Sequence, residues 1–222
     1  MIGAYLLELL YPSKCVFCSQ MLGREETEIC TSCRKTLPYC EGSVKRVPYS
    51  KTTAAVVYYE NQVRESVLRY KFRGNPQYSA AYGRLLAMKI AEQGIDFDLI
   101  THVPVSRRRQ RRRGYDQAAR LAKAVSRELG CKQQKLLKKI RNNPAQSGLP
   151  RPEQRRANVL GVYKAVNSKK VQGKTILLID DVMTTGATLS ECCRTLLDTG
   201  AAHVSCAVLA TVRRDTKQQV RK

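Results

Sequence analysis

The chain predicts an α/β fold, a parallel sheet with helices on both faces, preceded by a small four-cysteine zinc-ribbon module. Three observations carry that expectation. From about residue 53 onward, strand-length apolar runs alternate with helical patterns, the order that builds a parallel sheet with crossover helices. One run, Ile176 to Ile179, is apolar at consecutive positions, as a strand covered on both faces requires. Near the start, CVFC and CTSC place Cys15, Cys18, Cys30 and Cys33 in a C-x2-C-x11-C-x2-C array.

A length of 222 residues holds one α/β domain plus a small module. The composition divides them into 1–50 and 51–222, with a basic tail from about 213. Along the larger part, 54–59 read as a strand, 62–73 and 79–93 as helices, and 98–106 as a strand running into a loop. A helix follows at about 116–129, with Asp116 as N-cap and Gly130 at its end. Strands are expected at 135–140, 159–166, 174–180 and 203–212, with a helix at 187–199 and a polar Asn/Pro/Gly segment at 142–152.

Lys and Arg number 40 against 18 Asp and Glu, a net charge of +22. The excess is concentrated: residues 101–160 hold 17 basic and 3 acidic side chains. Such a field favours polyanions, whether nucleic acid, acidic lipid or pyrophosphate, over a merely solvated surface. Eleven Tyr leave a base-stacking surface open, while three Phe and no Trp make it less obvious. The opening MIGAYLLELLYP contains Glu8 and has no basic n-region or cleavage site, so it is not a signal peptide. Ile2, Leu6, Leu7, Leu9 and Leu10 suit a short amphipathic helix. No apolar run reaches membrane-spanning length, which points to a cytoplasmic protein without stable membrane insertion.

Two thiolate knuckles supply the four ligands of a closed, structural Zn²⁺ site, and the metal supplies folding energy that a module of about 50 residues cannot draw from its own core. A redox CxxC or disulfides are the competing readings, disfavoured by the paired knuckles and a reducing compartment. Cys40 is left as a spare thiol. Cys131, Cys192, Cys193 and Cys206 lie in apolar or helical contexts and are expected in the core. His102 sits in a strand and is assigned no role.

The most informative stretch is TILLIDDVMTTGATL, Thr175 to Leu189. Asp180 and Asp181 fall at the carboxyl end of a buried strand, where open α/β sheets bind ligands, and two acids there accept hydrogen bonds from vicinal hydroxyls. The following loop, Thr184, Thr185, Gly186, Ala187 and Thr188, turns at glycine and opens a helix, so its backbone N–H groups and threonine hydroxyls suit a 5'-phosphate. The Gly-Lys-Ser/Thr ending of a Walker loop is absent. A strand ending in two surface acids before a plain turn is the bland alternative, and the joint spacing of acids, threonines and glycine argues against it.

The stretch resembles the signature of type I phosphoribosyltransferases. That resemblance implies binding of phosphoribosyl pyrophosphate (PRPP) with Mg²⁺, the acids on the ribose 2'- and 3'-hydroxyls and the loop on the 5'-phosphate. It further implies a pyrophosphate loop at Val103 to Ser106, including Val105 and Ser106, with Arg107, Arg108 and Arg109 near the leaving group. The segment Asn143 to Asn158 corresponds to the loop that closes over PRPP, carrying Arg155 and Arg156. Thr184 stands where purine enzymes carry an acid, so the usual general base is missing.

Paired knuckles, KFRG at Lys71 to Gly74, VPVSRRRQRRRGYDQA, QSGLPRPEQRRAN and DDVMTTGAT occur in the order seen in the ComF family, which the chain resembles to about residue 212. The resemblance implies a cytosolic accessory of natural transformation that handles incoming single-stranded DNA beside a ComFA-type helicase. The expected nucleic-acid contacts are Arg107, Arg108, Arg109, Arg111, Arg112, Arg113, Arg155 and Arg156. A working phosphoribosyltransferase of nucleotide metabolism with an unidentified acceptor, or a PRPP-sensing nucleic-acid-binding regulator, are the alternatives.

Overall fold

The computed structural model describes residues 13–42, 44–73, 76–141 and 158–213. Short amphipathic start, polar segment with Arg155 and Arg156, and basic tail all lie outside the described residues. Four parallel strands form the main sheet: β1 (Thr53–Tyr58), β2 (Leu99–His102), β5 (Thr175–Met183) and β6 (His203–Thr211), in the order β1-β6-β5-β2. β5 is central, which explains its uninterrupted apolar run.

Alternation along β5 sends successive side chains to opposite faces. Leu177 and Ile179 enter one core with Tyr82 and Leu86 of α3 (Pro76–Glu92) and Leu121 and Val125 of α5 (Gln117–Glu128). Ile176 and Leu178 enter the other with Cys192 and Leu196 of α7 (Ala187–Asp198). Cys193 and Cys206 are also fully buried there, and Cys131 packs partly buried against the first core.

The cysteine segment shares the first core. Val16 and Phe17 of the first knuckle are buried with Val63, Val67 and Tyr70 of α2 (Asn61–Arg73) and with Tyr82. Phe17 and Tyr82 rings lie 5.7 Å apart. The knuckle carbonyls are held from α2: Arg69 donates to Val16 O and Phe17 O, and Ser66 Oγ donates to Val16 O.

Two expectations are revised. The strands near 135–140 and 159–166 do not join the parallel sheet. β3 (Leu137–Lys139) and β4 (Tyr163–Ala165) pair antiparallel as a separate ribbon, Lys138 opposite Lys164. An antiparallel pair needs no crossover helix. The arginine run expected as loop is instead a helix, α4 (Arg107–Arg113), started by Ser106, whose Oγ accepts from Arg109 N at 3.4 Å, and stopped by Gly114 at φ 79°. Two further short helices, α1 (Thr31–Thr36) and α6 (Ser168–Val171), lie in the connections.

Candidate functional site

A cleft of about 270 Å³ opens at the carboxyl end of β5. Asp180 and Asp181 lie at its floor, Thr184 to Leu189 form one wall, and Val103 to Val105 with Arg109, Arg112 and Arg113 form another. The two acids face different surroundings because they alternate across the strand. Asp181 is 9% exposed and pairs with Lys71 Nζ at 3.1 Å. Burial first, and then the neighbouring Asp181 charge, push the Asp180 carboxyl well above the usual carboxylate range, against the opposing pull of the Asp181 N–H and Lys71. The Asp181 N–H donates to Asp180 Oδ1 at 2.8 Å.

Gly186 turns the following loop at φ 79° and serves as N-cap of α7. A side chain there would be strained at that φ, and its Cβ would stand 3.5 Å from Val47 Cγ2. Thr185 Oγ1 accepts from Ala187 N at 3.4 Å, so this hydroxyl shapes the turn. Thr184 is exposed and Thr188 half-buried at the lip. With the positive end of α7 behind it, the loop has the geometry of an anion cradle.

Helical geometry divides the arginines of α4. At about 100° per residue, Arg109, Arg112 and Arg113 share the side lining this cleft, Arg107 and Gln110 line a neighbouring one, and Arg108 and Arg111 are exposed and line neither. Val105 lines both clefts. Ser106 is buried as the cap of α4 and lines neither.

The RGYDQA segment braces the site. Asp116 caps α5 through Oδ1, accepting from Ala119 N at 3.0 Å, while Oδ2 accepts from Val105 N at 3.1 Å and so fixes the VPVS turn. Tyr115 OH donates to Tyr70 O, Tyr70 OH donates to Gln117 O at 2.7 Å, and Gln117 Nε2 donates to Lys71 O at 3.4 Å. These bonds hold the backbone that carries Lys71. Arg113 donates to Gln117 Oε1 at 2.9 Å and sits 5.3 Å from the centre of the Phe72 ring.

Across the cleft stand Lys139 and Tyr163 from the ribbon, with Lys139 Nζ 5.5 Å from the Tyr163 ring centre. Burial, with a smaller contribution from Arg109, holds the Lys139 ammonium down to about 8. Burial and the nearby Arg113 likewise lower Arg109. Cations held below their ordinary values want an anion beside them. Sequence reasoning left Lys71, Asp116, Lys139 and Tyr163 out of the site. KFRG and RGYDQA carried a family signal for the first two, and nothing in the sequence marks Lys139 or Tyr163.

A model of the phosphoribosyl transferase domain matches residues 116–222, and one of the double zinc ribbon domain matches residues 6–54. Competence protein F of Haemophilus influenzae is 27% identical over 215 residues, covering 86% of this chain and 93% of that protein. Competence protein ComFC of Bacillus subtilis is 29% identical over 212 residues, covering 90% and 85% respectively. Along most of its length the chain is similar to these ComF-type competence proteins. DNA utilization protein YhgH of Escherichia coli, strain K12, is a further relative, 28% identical over 201 residues and 86% of each chain.

The zinc-ribbon part of the chain fits a zinc ion. The sulfurs of Cys15, Cys18, Cys30 and Cys33 all lie within 4.8 Å of one another, and those of Cys18 and Cys30 are 3.7 Å apart. Tetrahedral Zn²⁺ with Zn–S near 2.3 Å asks for about 3.8 Å between sulfurs. Backbone N–H groups point at them, Cys30 N to Cys15 Sγ and Cys33 N to Cys30 Sγ, each at 3.4 Å. Cys40 is buried in the second core, apart from this cluster. No helix among the described residues is long and apolar enough to cross a membrane.

Proposed function

We propose that this ComF-like protein binds PRPP with Mg²⁺ in the β5 cleft, binds single-stranded DNA on its basic surface, and serves DNA uptake in natural transformation together with a ComFA-type helicase in the cytoplasm. One observation carries the ligand reading: a strand-end acidic pair and a glycine-turned anion cradle share one cleft with Lys71, Arg109, Arg112, Arg113 and Lys139. Asp180 and Asp181 would accept from the ribose hydroxyls, the Thr184 to Thr188 loop would hold the 5'-phosphate, and the VPVS turn with Arg109 would face the pyrophosphate. Mg²⁺ would offset pyrophosphate charge. Competence and DNA-utilization names among the relatives support the biological role.

Calorimetry tests the ligand. Asp181→Ala should weaken Mg²⁺–PRPP binding by roughly 1 to 3 kcal/mol through lost charge-assisted bonds, and equal affinity in the double Asp180→Ala, Asp181→Ala variant would refute the ribose role. The second reading is a turning-over phosphoribosyltransferase. Against it stands the carboxylate inventory of the described lining, where Asp180 and Asp181 are the only acids and no third carboxylate is offered to take an acceptor's proton. Pyrophosphate release from PRPP across a panel of nucleobases, ammonia and DNA ends decides between the two.

A further inference from the structure

The turn at Pro104 and Val105 and helix α4 separate the β5 cleft from a second concavity of about 690 Å³. Five cations line it: Arg107 of α4, Lys138 and Lys139 of β3, and Lys135 and Arg141 on either side of that strand. Among the described lining residues the only carboxylate is Asp116, and both its oxygens already accept backbone N–H groups. The acid therefore serves the fold and leaves the wall's positive charge in excess. His102, also on this wall, is buried, with Gln133 Nε2 2.6 Å from its Nδ1 and Asp116 4.0 Å from its Nε2.

The concavity also has an apolar strip. Pro104, Val166 and Ile140 line it, and Ile140 is 49% exposed although it directly follows a strand. Cations along one wall, with the exposed Ile140 and the half-buried Val166 in the same hollow, match a chain that carries phosphates on one side and bare, unpaired bases or sugars on the other. A duplex turns its bases inward and has no use for the strip.

We propose that this second cleft seats the phosphate backbone of single-stranded DNA, with Lys135, Lys138 and Arg141 as its principal contacts. The inference rests on the single-strand reading above and gives it a location that the arginines of α4 alone do not. Most of those arginines point elsewhere: Arg109, Arg112 and Arg113 face the β5 cleft, and Arg107 alone of the helix's arginines lines the second.

The test is fluorescence anisotropy with a labelled oligonucleotide of about ten nucleotides, measured over a salt series on the full chain. The Lys135→Ala, Lys138→Ala, Arg141→Ala variant should bind on the order of 10- to 100-fold more weakly near 0.1 M salt, with the log-log salt slope reduced by about 2, roughly 0.7 for each lost phosphate contact. Its affinity for Mg²⁺–PRPP should stay at the wild-type value, because none of the three residues lines the β5 cleft. Lys135→Arg, Lys138→Arg, Arg141→Lys should retain strand binding. Unchanged affinity and slope in the alanine variant overturn the proposal, as does equal binding of duplex or equal displacement by polyglutamate of matched charge. Wild-type protein that binds no strand at all defeats the broader DNA reading, whereas wild-type binding that the alanine variant keeps defeats only this location.

Discussion

Lys139 shows how a single side chain gains meaning only once folded. Its ordinary value near 10.5 falls to about 8 because burial and Arg109 disfavour its charge. Between those two pH values the unfolded chain binds the extra proton and the folded one does not, so this residue makes stability rise with pH across that window, and its penalty is fully present below 8. Lys139→Met should remove that slope: the variant's stability advantage in urea denaturation should be largest at pH 7 and shrink toward pH 10. For the phosphate binding proposed above, the same residue should favour pH below 8, where its charge is regained at least expense. Gly186→Ala is a second residue-scale prediction. At φ 79° a Cβ costs about 1 to 2 kcal/mol, so the melting temperature should drop while α7, read by circular dichroism, persists. The acids and threonines of this site were readable because they are contiguous. Lys71 and Lys139 were not, since distant segments deliver them to Asp181 and Tyr163.

At the scale of elements, α4 turns a charge run into a directed device. Arginine is a good helix former, and a serine cap and a left-handed glycine bound the run, so the helix could have been read from Ser106 and Gly114. Its phase yields a comparison of equal charge. Arg112→Ala with Arg113→Ala should weaken Mg²⁺–PRPP binding by roughly 100-fold, each lost charged hydrogen bond being worth about 1.5 kcal/mol, whereas Arg108→Ala with Arg111→Ala should leave it within about two-fold. Equal losses would mean that only net charge matters. Ser106→Ala should cost about 1 kcal/mol through the lost cap and weaken the Arg112 and Arg113 contribution by fraying the helix. The β3–β4 ribbon was misplaced for a different reason: short strands carry the same apolar pattern in either pairing direction, and only tertiary contacts fix which sheet they join.

For the whole molecule, the sequence conveyed the α/β class and the metal ligands, because both depend on local patterns, but gave no sign that the cysteine segment and the sheet share one core. Phe17 among Val67, Tyr70 and Tyr82 belongs to the same cluster as Leu177 and Leu209. Removing zinc should therefore unsettle more than the knuckles. Cys15→Ser with Cys30→Ser should lower the temperature of a single, whole-protein transition, whereas two separate transitions would show that the segment melts alone.

Val47, which lies between the cysteine segment and β1 and packs in the second core, brings a methyl close to Gly186. If that contact transmits order, metal and phosphate ligand are partners in a thermodynamic cycle, and whatever factor zinc adds to PRPP affinity PRPP must return to zinc. A chelator titration followed by a zinc dye would read it from the far side: saturating PRPP should shift the stripping curve to higher chelator concentration, and Val47→Ala should shrink the shift.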